Sequence, residues 1–253
     1  MCLNAHGLWN YKEKSMIDLH LHSTHSDGTL SPSQLVEMAH DKKIRVISVT
    51  DHDTCSGTGE ALEAGEKYSV GVLPGLELSV SHKELFFHLL GYGFDWQAQP
   101  LQKGLERLQN SRQERNDTIL EKLRKMGIDI TAEEMRKESG EGQTGRPHFA
   151  RILVKKGLVR SLDKAFEHYL RKGACAYVKR FIYNAEEAIR LIHQAGGVAV
   201  LAHPVQLGYS VEKLRPLITE LKGFGLDGIE THYPKKKGKV RRKLSELVQH
   251  YEL

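Results

Sequence analysis

Apolar residues arrive along this chain in two rhythms, and the switches between them divide it. From residue 16 to about 95, short β-branched runs alternate with amphipathic stretches. The pattern predicts a strand over 16–21, a helix from Ser31 to about Lys43, a strand over 45–50 and a helix over 58–68. Ser31 suits an N-cap, and Pro32 suits the first helical turn, where a backbone N–H would lack an intrahelical partner anyway. The run RVISVT is continuous and β-branched, as expected of a parallel strand covered on both faces. After Gly71-Val72-Leu73-Pro74-Gly75, residues 76–80 and 85–92 read as two strands joined by the polar turn Ser81-His82-Lys83-Glu84.

From residue 97 to about 172 the spacing becomes helical and the composition strongly charged. Leu101, Leu105 and Leu108, then Ile119, Leu120, Leu123 and Met126, recur at helical intervals. Gly140, Gly142 and Gly145 mark a loop, and Arg146-Pro147-His148 leads into a further helix. The βα rhythm then returns, with a helix over 185–195 closed by Gly196-Gly197, a strand over 198–202, a helix over 211–221, a strand over 226–232 and a helix starting in 244–253. The expected organisation is an α/β unit built from 16–96 and 176–253, interrupted by a helical insertion at 97–175. Residues 1–15 read as a disordered leader before Met16.

Composition narrows the setting. With 40% hydrophobic and 27% charged residues in 253, the chain has the make-up of a globular protein. It has no apolar run near the roughly 18 residues of a membrane span, and residues 1–15 lack the apolar segment of a secretory signal. Cys2, Cys55 and Cys175 are widely spaced with no CxxC pair, which predicts neither a disulfide framework nor a thiolate zinc site and fits a reducing cytoplasm. Cys55 reads as a small buried thiol. The formal charge of +5 owes much to 235–243, which holds seven basic residues. That run reads as a solvated helix start, and the excess leans towards anionic substrates.

Residues 18–28, DLHLHSTHSDG, pack three imidazoles and two carboxylates behind the first strand. Positions i and i+2 of a strand share a face, so His20 and His22 can point at one ion. One H-x-H pair is weak evidence, since surface strands carry such pairs by chance. Here comparable groups recur near later strand ends: His52 after VISVT, Glu77 in PGLELS, His88 in FFHLLGY and His203 after VAVLA. In barrel-like α/β folds the strand C-termini converge on one mouth, where catalytic groups gather. Imidazole nitrogens mixed with carboxylate oxygens suit Zn, Mn or Fe.

The segments DLHLHSTHSDGTLSP, ISVTDHDT, PGLELS, FHLLGYGFD and GGVAVLAHP, in this order, resemble the PHP (polymerase and histidinol phosphatase) phosphoesterases over 16–95 and from about 177 onwards. The resemblance implies a distorted seven-stranded, TIM-like β/α barrel holding two or three divalent metals per site, Mn being expected and Fe or Zn the alternatives. Carried over, His20 and His22 would hold the first metal, Glu77 would bridge the first and second, His88 and His203 would complete the second, and Asp27 and His52 would hold the third. A hydroxide shared between two cations would be the nucleophile, its pKa lowered by both. The helical insertion and Thr144-Gly145-Arg146-Pro147-His148 are most similar to the branch acting on nucleoside 3',5'-bisphosphates and on the 5' ends of short RNA. The family also places a late Asp-x-His pair, usually in a Gly-Ser-Asp stretch. No such pair follows Glu230, which suggests a chain lacking its last strand.

Around the expected ligands, Asp18, Asp51, Asp53 and His25 read as supports that orient ligating rings or shape adjoining turns. Arg146 and His148 could grip phosphate or pin the insertion to the rest of the fold, and Lys179 with Arg180 offers a weaker version of the same idea. The expected partner is a small phosphorylated nucleotide or short RNA, with no membrane and no stable DNA binding. Two other readings stand beside this one: a histidinol-phosphate-type monoesterase, and a non-catalytic phosphate-binding module.

Overall fold

The β-branched runs form two sheets that meet at Glu77. The computed structural model describes residues 16–140, 142–232 and 238–253; the leader at 1–15 and Lys235, Lys236 and Lys237 of the basic run lie outside the described residues. The first sheet is parallel, in the order β1 (Met16–Leu21), β2 (Ile44–Val49) and β3 (Gly71–Val72). Helices α1 (Pro32–Asp41) and α2 (Thr58–Tyr68) connect these strands, and Val36, Ala39, Ile47, Val49 and Ala61 form the buried layer beneath them. Ser31 caps α1 through a reciprocal box with Gln34, as its side-chain chemistry favours.

The next two strands, β4 (Gly75–His82) and β5 (Leu85–Tyr92), form an antiparallel hairpin with Glu77 opposite Leu90, Ser79 opposite His88 and Ser81 opposite Phe86. A helical stretch follows: α3 (Gln99–Lys125), α4 (Ala132–Ser139), α5 (Arg146–Lys155) and the short α6 (Leu162–Ala165), which runs into a π-helical turn at Phe166–Leu170. Ile119, Leu123, Phe149, Leu153 and Leu170 close a core of its own. The chain returns through β6 (Tyr183–Asn184), α7 (Ala185–Gln194), β7 (Val198–Leu201), α8 (Arg215–Gly223), β8 (Gly228–Ile229) and α9 (Gly238–Tyr251). Its sheet has the order β6-β4-β5-β7-β8. Gly104 lets α3 cross α7 closely, because a Cβ there would lie 2.6 Å from Leu191 Cδ2.

Several expectations need correction. The fold is mixed α/β with two sheets, and no closed seven-stranded barrel is found among the described residues. The β4–β5 and β5–β7 pairs are antiparallel, unlike the uniform parallel pairing of a TIM-like barrel. Among the described residues a β-bridge between His52 and Glu77 joins the sheets, flanked by Asp53 N–H to Glu77 O at 2.9 Å and Glu77 N–H to Asp51 O at 3.1 Å. The helix expected over 211–221 splits into a 3-10 turn (Val211–Leu214) and α8, since Pro216 in the first turn of α8 cannot donate a helical bond. The strand expected over 226–232 shortens to Gly228–Ile229, with the Asp227 and Glu230 backbone N–H groups still donating to Ala199 O and Leu201 O of β7. Asp227 accepts from Ala199 N and His193, and Glu230 turns into the site described below. The last helix begins at Gly238, so the described end of the basic run lies within α9, with Lys243 paired to Glu212. None of the described helices is long and apolar enough to cross a membrane.

Candidate metal centre and the cleft beside it

Glu77, 1% exposed, is ringed by five imidazoles. Its Oε2 lies 3.2 Å from His20 Nε2, 3.1 Å from His22 Nε2 and 3.3 Å from His52 Nδ1, and its Oε1 lies 2.9 Å from His88 Nδ1 and 2.8 Å from His203 Nε2. The strand pattern places them: His20 and His22 at the end of β1, His52 after β2, His88 across the hairpin on β5 and His203 after β7. Asp27 joins from the loop after β1, 3.4 Å from His22 and 3.8 Å from His52. All seven carried-over residues therefore converge. Their ligand atoms cluster as His20, Glu77 and His203; His52, Glu77 and His88; and His22, Asp27 and His52, a different partition from the one the resemblance implies.

The electrostatics match a cation site. Burial opposes charge on Glu77, yet bonds from His20, His203, His22 and His88 hold it well below the usual carboxylate range. Burial likewise works against a charged His20, but Glu230 and Glu77 together raise it to about 10. His52 is pushed by burial down to about 4, leaving a neutral ring whose buried Nδ1 has no hydrogen-bond partner. A carboxylate offers about four lone-pair sites, fewer than the ring nitrogens crowded around this one. Five imidazoles around a shared carboxylate instead fit divalent metal ions.

Glu230, which the sequence pattern did not single out, completes the cluster. It accepts from His20 Nδ1 at 2.9 Å and from the His203 backbone N–H at 2.6 Å. That second bond holds His203 at φ +27, a left-handed conformation costly for a residue with a side chain. The expected supports act differently. Asp51 does not orient an imidazole; it accepts from Ser23 N, Ser23 Oγ and Ser26 Oγ and so shapes the loop carrying Asp27. Asp18 only receives a long 3.4 Å contact from His20 N. His25 turns away to Ser56, with Nδ1 2.8 Å from its hydroxyl. The loop is packed tightly enough that a Cβ on Gly28 would lie 2.1 Å from His22 O. Gly28→Ala should therefore cost about 1–3 kcal/mol and weaken divalent-metal uptake. Denaturant unfolding and metal titration read both effects, and an unchanged variant would mean the loop yields freely.

Beside the imidazoles lies a second set of charges. Asp53, fully buried with φ +54, accepts from Ser79 N at 2.8 Å and Ser79 Oγ at 3.0 Å and pairs with Arg112 and Arg180, the latter at 2.7 Å. Asp53 thus joins the helical stretch to the sheets rather than capping a turn. Arg112 and Arg115 come from α3 and were not legible as site residues. Arg115 is 5% exposed and donates to Asn116 Oδ1, and burial, then Arg112, Arg180 and Arg146, lowers its pKa to about 9. Arg146 reaches Leu170 O at 3.3 Å while lining the same space. His148 lines the same cavity, and its Nδ1 accepts from Gly145 N at 2.8 Å and closes the first turn of α5. Lys179 is exposed at the rim. Four guanidiniums against two nearby carboxylates, Asp27 and Asp53, suit a bound phosphate.

The empty space follows this division. A cavity of about 610 Å³ surrounds the imidazoles and Glu77, one of about 200 Å³ lies under Arg112, Arg115 and Arg146, and one of about 280 Å³ opens between β5 and residues 177–182. His88 lines all three, so the cavities adjoin at this residue.

A histidine-rich ligand cluster with an adjoining arginine pocket on a mixed α/β frame defines a metal-dependent phosphoester hydrolase. The PHP domain model matches residues 18–196, and the chain belongs to the PHP family. It is 37% identical to a 5'-3' exoribonuclease of Haemophilus influenzae over 84% of this chain and 77% of that protein. It is 33% identical to a 3',5'-nucleoside bisphosphate phosphatase of Chromobacterium violaceum over 85% of this chain and 75% of that one. A protein from Bifidobacterium adolescentis assigned as a metal-dependent phosphoesterase superposes with a TM-score of 0.80 at 26% identity, covering 95% of this chain and 85% of its own.

Proposed function

We propose that this protein hydrolyses phosphate esters of nucleoside 3',5'-bisphosphates or at the 5' ends of short RNA. The observation that carries this reading is the arginine pocket next to the imidazole cluster, which gives a substrate with two phosphates a place for each. His20, His22, Asp27, His52, Glu77, His88 and His203 would hold two or three divalent ions, Mn²⁺ being the proposed metal for this nitrogen and oxygen donor set. Bound there, the ions would polarise a phosphoryl oxygen and supply a nucleophile at neutral pH. The protein's own groups do the rest: Glu230 fixes the His20 ring and the His203 backbone, and Asp51 holds the loop bearing Asp27. Arg112, Arg115, Arg146 and Arg180 bind and orient the second phosphate, with Lys179 at the rim.

The same reading treats 16–96 and 176–253 as the unit that builds the ligand cluster, 97–175 as an inserted unit that supplies Arg112, Arg115 and Arg146, and the cytoplasm as its compartment. A monoesterase of the histidinol-phosphate type would have no use for so many guanidiniums. With Mn²⁺, adenosine 3',5'-bisphosphate should be cleaved far more efficiently than histidinol phosphate, and equal rates would overturn the assignment. Binding without cleavage of either would instead favour a phosphate-binding module. Arg115→Gln should raise KM for the bisphosphate about 10- to 100-fold, the worth of a hydrogen bond to a charged group, and leave a monophosphate nearly unaffected. Equal losses on both substrates would remove Arg115 from the second phosphate.

A further inference from the structure

We infer that Phe86 is the stacking platform for the nucleobase of the substrate, making β5 the element that selects for a base-bearing ligand. This rests on the nucleotide reading above and adds a subsite to it. Residues directly opposite each other in an antiparallel pair point to the same face, so Glu77, Ser79 and Ser81 share a face with Leu90, His88 and Phe86. Along that face the order outward from the ligand cluster is Glu77, His88, Phe86. Phe86 sits two residues beyond His88, about 7 Å along the strand. That spacing is comparable with the span of one ribose.

Phe86 is 53% exposed although it is flanked by the buried Phe87 and lies within a sheet with its own covered layer. A single exposed apolar residue needs no explanation by itself. This one, however, lines the 280 Å³ cavity together with Val178, Ile182 and Leu207, and Arg115, Arg146 and Arg180 line it too. Those three arginines also line the phosphate pocket, whereas Phe86, Val178, Ile182 and Leu207 do not. That division matches a nucleotide with its phosphate held between the two cavities and its base in this one. An open phenyl face accepts any base, because every base has a π surface, and larger purine rings gain more from it.

The test compares Mn²⁺-loaded wild type, Phe86→Ala and Phe86→Tyr on two probes: adenosine 3',5'-bisphosphate and the same ribose bisphosphate lacking a base. Phe86→Ala should raise KM about tenfold or more for the adenosine compound, as loss of one base–aromatic stack does, with kcat little changed. The baseless probe should show no difference between the proteins, and Phe86→Tyr should retain wild-type KM. An unchanged KM in Phe86→Ala, or an equal rise on both probes, overturns the assignment of Phe86 alone. Wild type that cleaves neither probe overturns the nucleotide reading and this inference with it.

Discussion

Glu77→Gln should lose metal and activity together, with turnover falling by about three orders of magnitude, at the upper end of what loss of a single electrostatic group does in an active site. The amide keeps the shape of the side chain but removes the charge and one acceptor oxygen. Five ring nitrogens now converge on Glu77 within 3.3 Å, and every grouping of ligand atoms but the one around Asp27 includes it. An NH₂ in its place would point donors at His rings that need acceptors or a cation. Metal content after dialysis, measured beside hydrolysis at saturating Mn²⁺, checks the prediction. A variant with full metal occupancy and a rate within threefold of wild type would show that the imidazoles suffice.

The second large effect lies in the arginine pocket. Asp53→Asn should destabilise the fold by about 3–5 kcal/mol, the usual result of removing one partner from a buried ion cluster. Two guanidiniums, Arg112 from α3 and Arg180 from the segment before β6, share this one carboxylate. Burial opposes its charge, but Arg112 and Arg180 overcome that and hold its pKa at about 2 against an ordinary 3.8. A depressed pKa means that the stabilisation is complete above about pH 4 and is lost as pH falls towards 2. The variant should therefore lose less than wild type across that window. Urea unfolding at pH 7 and at steps down to pH 2 measures both. A loss below about 1 kcal/mol at pH 7 would mean the arginines are held by packing instead.

Much of the ligand cluster was legible because strands announce themselves by β-branched runs and their ends can be read directly. His20, His52 and His203 stand at or just after such runs, and the structure brings them together. Glu230 obeys the same rule, closing the strand expected over 226–232, but a lone glutamate before a polar stretch has no motif to mark it. The arginines were hidden differently. Leu101, Leu105, Leu108, Ile119 and Leu123 form a stripe along α3, and Arg112 and Arg115 fall at the gap in that stripe, where leucine would be expected. A charged residue on a buried helical face is a signal, though a weak one in a segment this rich in charge. Barrel closure was not legible because β-branched runs show where strands are, whereas pairing direction depends on partners far away in the chain. The two-residue β3, β6 and β8 are too short to show a period at all.

His20 meets Glu230 across 210 residues of chain, and Glu77 meets His203 across 126. Such distant closures are slow to form, because the loop entropy is lost before the contact is gained. At about 5–20 residues per second, a nascent chain displays Glu77 with the earlier imidazoles for on the order of ten seconds before His203 is synthesised. During that interval His203 and Glu230 are missing from the cluster, which is complete only once β7 and β8 have been made.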